Sequence, residues 1–285
     1  MKSFQSSLLL EAMESVDHGV KTKEETFSGG RVTTVELPEE NPFSKPGGKY
    51  ITIETKRVQS LQDQAFENAV NAVARAITPM IHGARVLVAA LGNNDITPDS
   101  LGPKMMRHLM VTRPFEQIAP DALGEGKLRS VAAVCTNVYG ATGIESAEMI
   151  RGVTAQIQPD TVIVIDALAT THLSRLCSTV QVADTGLVPG SGVANARKEV
   201  SRSALGVPVI SVGMPTVMDG AALLEQVGSS DETVDQTLSE YGETLIAMPT
   251  GIGTATDNGA KLLAFALNKA LHYNMSMRDM LSFLS

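Results

Sequence analysis

Tryptophan is absent from this 285-residue chain, and aromatic residues make up only 4% of it. Any core must therefore rest on Val, Ile, Leu, Ala and Met. Cysteine is scarce as well: Cys135 and Cys177 are too few for a disulfide framework, which fits a reducing cytoplasm. Basic residues number 23 against 31 acidic ones, and the net charge of −8 argues against direct nucleic-acid binding. No apolar run approaches the roughly 18 residues of a membrane span. The run Leu8–Leu10 stops at Glu11, too short for the core of a signal peptide. Repeats, low-complexity tracts and internal linkers are also missing. A cytoplasmic protein with no membrane partner is expected.

What is present is 43% hydrophobic and 19% charged, enough to bury a core and to exclude wholesale disorder. Residues 1–48 are polar and punctuated by Gly-Gly and Pro, which reads as an arm and loops. Within them Leu8, Leu9, Ala12 and Val16 sit at helical spacing, a short amphipathic stretch able to lie in a groove. From Tyr50 the texture changes. Tyr50–Thr55 alternates like a strand, and Phe66, Val70, Val73 and Ile77 form a helical stripe.

Short aliphatic runs then recur at Val86–Leu91, Val131–Val134, Thr161–Asp166, Thr179–Val182 and Val207–Val212. Helical stripes lie between several of them, at Ile144–Ile157 and Leu262–Leu271. Strands alternating with helices predict one α/β domain with a largely parallel sheet and helices on both faces.

In such sheets ligands bind beyond the carboxyl ends of the strands. Two ends carry carboxylates: Asp99, in the loop after Val86–Leu91, and Asp166, directly closing Thr161–Ile165. Either could simply cap the next helix or turn. At adjacent strand ends, however, two carboxyls can share a proton and divide the roles of general acid and base. Asp184-Thr185-Gly186 matches the pepsin-type tripeptide, but the chain lacks an all-β texture. The glycine-rich stretch 186–192 is no P-loop, lacking the Lys-Ser or Lys-Thr pair; it reads equally as a substrate-lining loop or a connection. The histidines (His18, His82, His108, His172, His272) show no metal-ligand spacing, although His172 follows Asp166 closely enough to leave a metal site open.

At these same residues the chain resembles the germination protease family of spore-forming bacteria. The resemblance runs through Leu91-Gly92-Asn93, Ile96-Thr97-Pro98-Asp99-Ser100-Leu101-Gly102-Pro103, Thr142-Gly143-Ile144-Glu145 and Ile165-Asp166-Ala167-Leu168-Ala169. It continues through Asp184-Thr185-Gly186, Pro189-Gly190-Ser191-Gly192-Val193, Arg197-Lys198-Glu199 and Pro215-Thr216-Val217. It departs at Val188, where the family often carries His, and in a shortened segment between Pro215 and Ile246.

The resemblance implies an endopeptidase of the spore core or forespore that degrades small acid-soluble spore proteins at germination. It implies an atypical aspartic type with Asp99 and Asp166 catalytic, without cofactor or metal. The implied fold is similar to that of hydrogenase maturation proteases (phosphorylase/hydrolase-like). Asn93, Thr97, Gly143, Glu145, Asp184, Gly190, Ser191 and Gly192 are the implied substrate-binding positions. A homotetrameric zymogen is implied too, with residues 1–17 as propeptide cut at Asp17–His18 and residues 18–285 as the protease domain. A metal-dependent maturation-type protease and a non-catalytic peptide binder are the alternative readings.

Overall fold

The computed structural model describes residues 6–14, 19–60, 63–124, 127–190, 197–228, 230, 233, 234, 236, 237, 245–272 and 275–284. Among them the chain runs α1 (Leu9–Glu14), β1 (Thr22–Phe27), β2 (Gly30–Leu37), β3 (Gly48–Glu54), α2 (Asp63–Ile77), β4 (Arg85–Ala90) and α3 (Leu101–Met105). It continues with α4 (Phe115–Ile118), β5 (Ser130–Cys135), α5 (Tyr139–Thr142), α6 (Ser146–Ile157), β6 (Thr161–Thr170), β7 (Thr179–Ala183), α7 (Arg202–Leu205) and β8 (Val209–Asp219). Last come α8 (Gly220–Gln226), β9 (Ile246–Ala247), α9 (Ile252–Leu271) and α10 (Met277–Leu284).

The strands form one mixed sheet in the order β1-β2-β3-β7-β8-β6-β4-β5, with β9 paired to β8. The α/β class expected from the alternation is what the chain adopts, with helices on both faces. Parallel pairing is confined to β5, β4, β6 and β8, and β1, β2, β3 and β7 extend the sheet antiparallel. The aliphatic runs are continuous because both faces of the parallel half are covered. Val86, Val88, Ile163 and Ile165 face the cluster packed by α2, α3 and α9, whereas Leu87, Ala89, Val162 and Val164 face α6. The α2 stripe behaves as its spacing requires: Val70, Val73 and Ile77 are fully buried, and Phe66 meets Phe265 of α9 edge-on at 6.2 Å between centroids.

Residues 1–48 are not merely an arm with loops. They supply a β-hairpin and part of the core. Gly29, at φ 112°, turns β1 into β2, and Val35 and Leu37 pack with Leu9, Leu10, Met13, Phe43 and Tyr50 into a third cluster. The amphipathic stretch is thus docked as α1. Its short apolar run and the two-sided exposure of β1 hide this from periodicity. Strand β6 also outruns its expected end at Asp166. Strand β8 pairs with it as far as Thr170, with a register shift after Leu168 where Pro215 lies opposite.

Candidate active site

Asp166 lies within β6, on the face shared with Val164 and opposite Ile165. Neighbouring β4 ends at Ala90, opposite Ile165, so the sheet opens beside Asp166. Asp99 closes a short 3-10 turn, Thr97–Asp99, that follows β4. Neither aspartate is a cap. The residue preceding α3 is Ser100, and Asp166 sits in mid-strand. The Asp99 carboxylate instead accepts the Asn93 N–H at 2.8 Å, which folds the loop back on itself. Gly92 permits this fold: its φ is 108°, and a Cβ there would overlap the Asp99 carbonyl.

Both aspartates border one cleft of about 480 Å³, together with Gly92, Ile96, Tyr139, Glu145 and Arg197. Burial pushes the Asp99 carboxyl up to about 6, against the opposing pull of the Asn93 N–H. Burial pushes Asp166 further, to about 8, and the charge on Asp99 adds to the rise. The charge of one carboxyl thus bears on the proton affinity of the other, and such groups titrate with values that belong to the pair. Burial thus favours the protonated form of both carboxyls, and of Asp166 more than of Asp99. The only cation bordering the cleft among the described residues is Arg197, whose guanidinium lies 5.3 Å above the Tyr139 ring.

Asp166 also borders a second cavity, of about 330 Å³, shared with Ser7, Lys45, Gln181, Gly190 and Gly213. A further hollow of about 1030 Å³ lies between the β1–β2 hairpin and α2, and neither aspartate borders it. Among the described residues no group of three His, Cys, Asp or Glu could hold a metal. His172 Nε2 instead lies 3.0 Å from the Glu14 carboxylate. No helix among the described residues is long and apolar enough to cross a membrane.

Comparison with known proteins decides the family. The model of the family described as germination protease matches residues 4–231. The chain is 33% identical to the germination protease of Clostridium acetobutylicum over 98% of each chain. It is 33% identical to that of Caldanaerobacter subterraneus over 97% of this chain and 96% of the other. With the Bacillus licheniformis protein it shares 38% identity over 79% of this chain and 61% of its relative. The chain belongs to the germination protease family.

As a germination protease it is a peptide-bond hydrolase. Among solved structures, a [NiFe] hydrogenase maturation protease, HycI, from Thermococcus kodakarensis covers 68% of this chain and 99% of its own at 16% identity. The TM-score of that match is 0.36, too low to bear on the argument.

Of the germination-protease positions matched in the sequence, Glu145 and Gly190 reach the cleft with the two aspartates. Glu145 is already engaged there in a capping box with Glu148 at the start of α6. Asn93 orients Asp99 through its backbone. Thr97, Gly143 and Asp184 do not border the cleft. Thr97 is exposed, Gly143 ends α5 in a left-handed turn, and Asp184 accepts the Lys49 N–H at 2.8 Å, pinning β3. Ser191 and Gly192, like Asp17 and His18, lie outside the described residues.

Sequence reasoning missed Gln181 and Lys45, which wall the second cavity, and Gly213, which floors it. A glycine inside an aliphatic strand run was the available signal for a close approach at Gly213. Gln181 and Lys45 carry no local pattern that would reveal them.

Proposed function

We propose that this germination-type peptidase hydrolyses small acid-soluble spore proteins with Asp99 and Asp166 as its catalytic pair. The observation that carries the reading is that the two carboxyls border one cleft and that burial there raises both, Asp166 further than Asp99. The ionised Asp99 takes a proton from a water molecule as that water attacks the scissile carbonyl carbon. Protonated Asp166 donates its proton to the carbonyl oxygen, and the proton held by Asp99 passes to the departing amine as the C–N bond breaks. As that bond breaks, a hydroxyl proton of the tetrahedral intermediate returns to Asp166, so one water is consumed, a carboxylic acid and an amine are released (carboxylate and ammonium once in solvent), and the pair regains its single proton. This resembles the shared-proton logic of aspartic proteases on an unrelated sheet.

The same reading includes restraint. Residues 1–17 act as a propeptide, and the way residues 6–14 pack beside Asp166 supports it. Ser7 borders the cavity next to that carboxyl, and Leu9, Leu10 and Met13 anchor the segment in the core. Removal of the segment opens the approach. Assembly as a homotetramer in the spore core belongs to the same proposal and rests on the family resemblance.

The test is incubation of the chain freed of residues 1–17 with a purified small acid-soluble spore protein and, separately, with casein, followed by mass spectrometry. Rapid, limited cleavage of the spore protein that disappears in Asp99→Asn and in Asp166→Asn is expected. Undiminished cleavage in both variants would remove the carboxylate pair, and equal digestion of casein would remove the restricted substrate.

A further inference from the structure

The N-terminal segment is held beside Asp166 chiefly by its main chain. Gln181 accepts the Leu9 N–H through Oε1 at 2.8 Å and donates from Nε2 to the Ser7 carbonyl at 3.1 Å. Lys45 Nζ donates to the Ser6 carbonyl at 3.0 Å, and the Ser7 N–H donates to the Ala169 carbonyl at 3.0 Å. None of these four bonds reads a side chain of the segment. A fifth, from the Ala169 N–H to Ser7 Oγ at 3.1 Å, is the exception.

The position of the clamp is set by the sheet. Gln181 of β7 and Asp166 of β6 both pair with Gly213 of β8, so the three residues form one row across three strands. Val180, Val182, Ile163 and Ile165 point to the opposite face, which puts Gln181 on the same face as Asp166. Between the two side chains the floor is bare glycine, and a Cβ at Gly213 would crowd Leu168 and the Asp166 carbonyl. Gln181 is itself 9% exposed, so it is a buried amide spent on the backbone of a segment remote in sequence.

Docking of the segment does not require this clamp. Leu9, Leu10 and Met13 are already buried, Glu11 accepts from the Thr171 N–H at 2.7 Å, and Arg175 grips Glu14 at 2.5 Å. Strand β6, moreover, lacks a strand partner on its β4 side beyond Ile165 among the described residues, and Ala169 meets Ser7 where a strand would pair. A groove with one open strand edge, a bare glycine floor and a main-chain clamp suits any extended polypeptide.

We infer that this groove is the seat of the substrate main chain. Gln181, Lys45 and the Ala169 backbone hold an extended stretch of polypeptide across Gly213 and against Asp166, and residues 6–9 occupy the seat as a stand-in. The inference rests on the reading of Asp99 and Asp166 as the catalytic pair. Gln181 and Lys45 are substrate-positioning residues. They explain why the substrate must be an unfolded or extended chain, because a folded one offers no free carbonyls and amides in this spacing.

The test uses the full chain. Ser7→Pro removes the segment's N–H and hydroxyl from the seat while leaving the seat intact, and Leu9→Asp, which unseats the buried leucine, is the second release variant. Release is expected to lower KM for the spore protein about tenfold, as two bonds of ordinary strength imply. Adding Gln181→Leu to either release variant is expected to raise KM about tenfold with kcat nearly unchanged. An unchanged KM would make Gln181 a docking residue only and overturn the proposal.

Binding is read separately from catalysis by the fluorescence anisotropy of a labelled peptide with the sequence of residues 6–14. It should bind the Leu9→Asp chain, whose own segment is unseated, with or without Asp166→Asn, and about tenfold more weakly once Gln181→Leu is added. Equal binding with and without Gln181→Leu overturns the groove. Cleavage that survives Asp166→Asn while peptide binding still follows Gln181 overturns only the catalytic reading.

Discussion

The two halves of the sheet do different work and are built differently. In the parallel half, β4, β6 and most of β8 are covered on both faces and β5 partly so, their runs are largely aliphatic, and the two aspartates emerge where β4 stops short of β6. In the antiparallel half, β1, β2, β3 and β7 carry polar residues, charged pairs and the docked α1. Burial on two sides gives the first half a dry wall against which a carboxyl can hold its proton. The second half adds ion pairs to its own apolar cluster, with Arg175 reaching Glu11, Glu14 and Glu54 and Arg31 reaching Glu54 at 2.6 Å. The rigid half is thus suited to chemistry and the polar half to a segment that must be released.

Breaking the chemistry alone should have the largest effect. Asp99→Asn or Asp166→Asn is expected to lower kcat by about 10³, the scale of a lost general acid or base. The double variant should be scarcely worse than either single one, because the two act as a unit. Circular dichroism and steady-state rates on a spore protein decide it, and additive losses would mean independent roles. Next in size is Gly92→Ala. It forces a Cβ into the Asp99 carbonyl at φ 108° and should cost about 3 kcal/mol in urea unfolding, with activity falling as Asp99 is displaced.

The pH dependence sharpens the comparison. The rate should rise and fall around two apparent values that belong to the pair, about 6 and about 8, changing tenfold per unit outside them. Burial keeps Asp166 protonated well above the ordinary aspartate value of 3.8, so the folded chain retains a proton that the unfolded chain has released. Its stability therefore falls as pH climbs from 3.8 toward 8 and levels off above that. Asp166→Asn should remove this penalty, raising the melting temperature at pH 8 and giving no gain at pH 4. A gain independent of pH would show that the carboxyl is not desolvated.

In the antiparallel half, Arg175→Met should cost about 2 kcal/mol, a part of what a fully buried pair would lose because Glu14 is half exposed. Hydrogen exchange over residues 6–14 should quicken while kcat holds. Protection that survives would assign the docking to Leu9, Leu10 and Met13 alone. The smallest effect is expected from Lys198→Ala. Its bond to Glu148 at 2.7 Å is exposed on both sides, so the melting temperature should move by about 1 °C at most.

Periodicity made the parallel half legible. A strand buried on both faces has no choice but a run such as Val86–Ala90 or Val162–Ile165, and a carboxylate abutting such a run betrays itself. The helices α2 and α9 were legible for the same reason, since each presents an apolar stripe to one cluster. The β1–β2 hairpin was not, because β1 is solvated on both faces and leaves no alternation to read. Gln181 was hidden for another reason. Its neighbours Val180 and Val182 announce a strand, but nothing local says what chain will lie across it.

By itself, then, the sequence determined the α/β class, the aliphatic strands, the main helices and the two aspartates, because each of these is written in residues adjacent along the chain. Tertiary structure alone decided that β6 would run past Asp166 while β4 stopped beside it. It also decided that Gln181, Gly213 and Asp166 would share one row, and that residues 6–9 would lie there. These are consequences of strand order and register. Pairing β7, β8 and β6 brings together residues far apart in the chain, and that alignment depends on which strands find each other rather than on any local pattern.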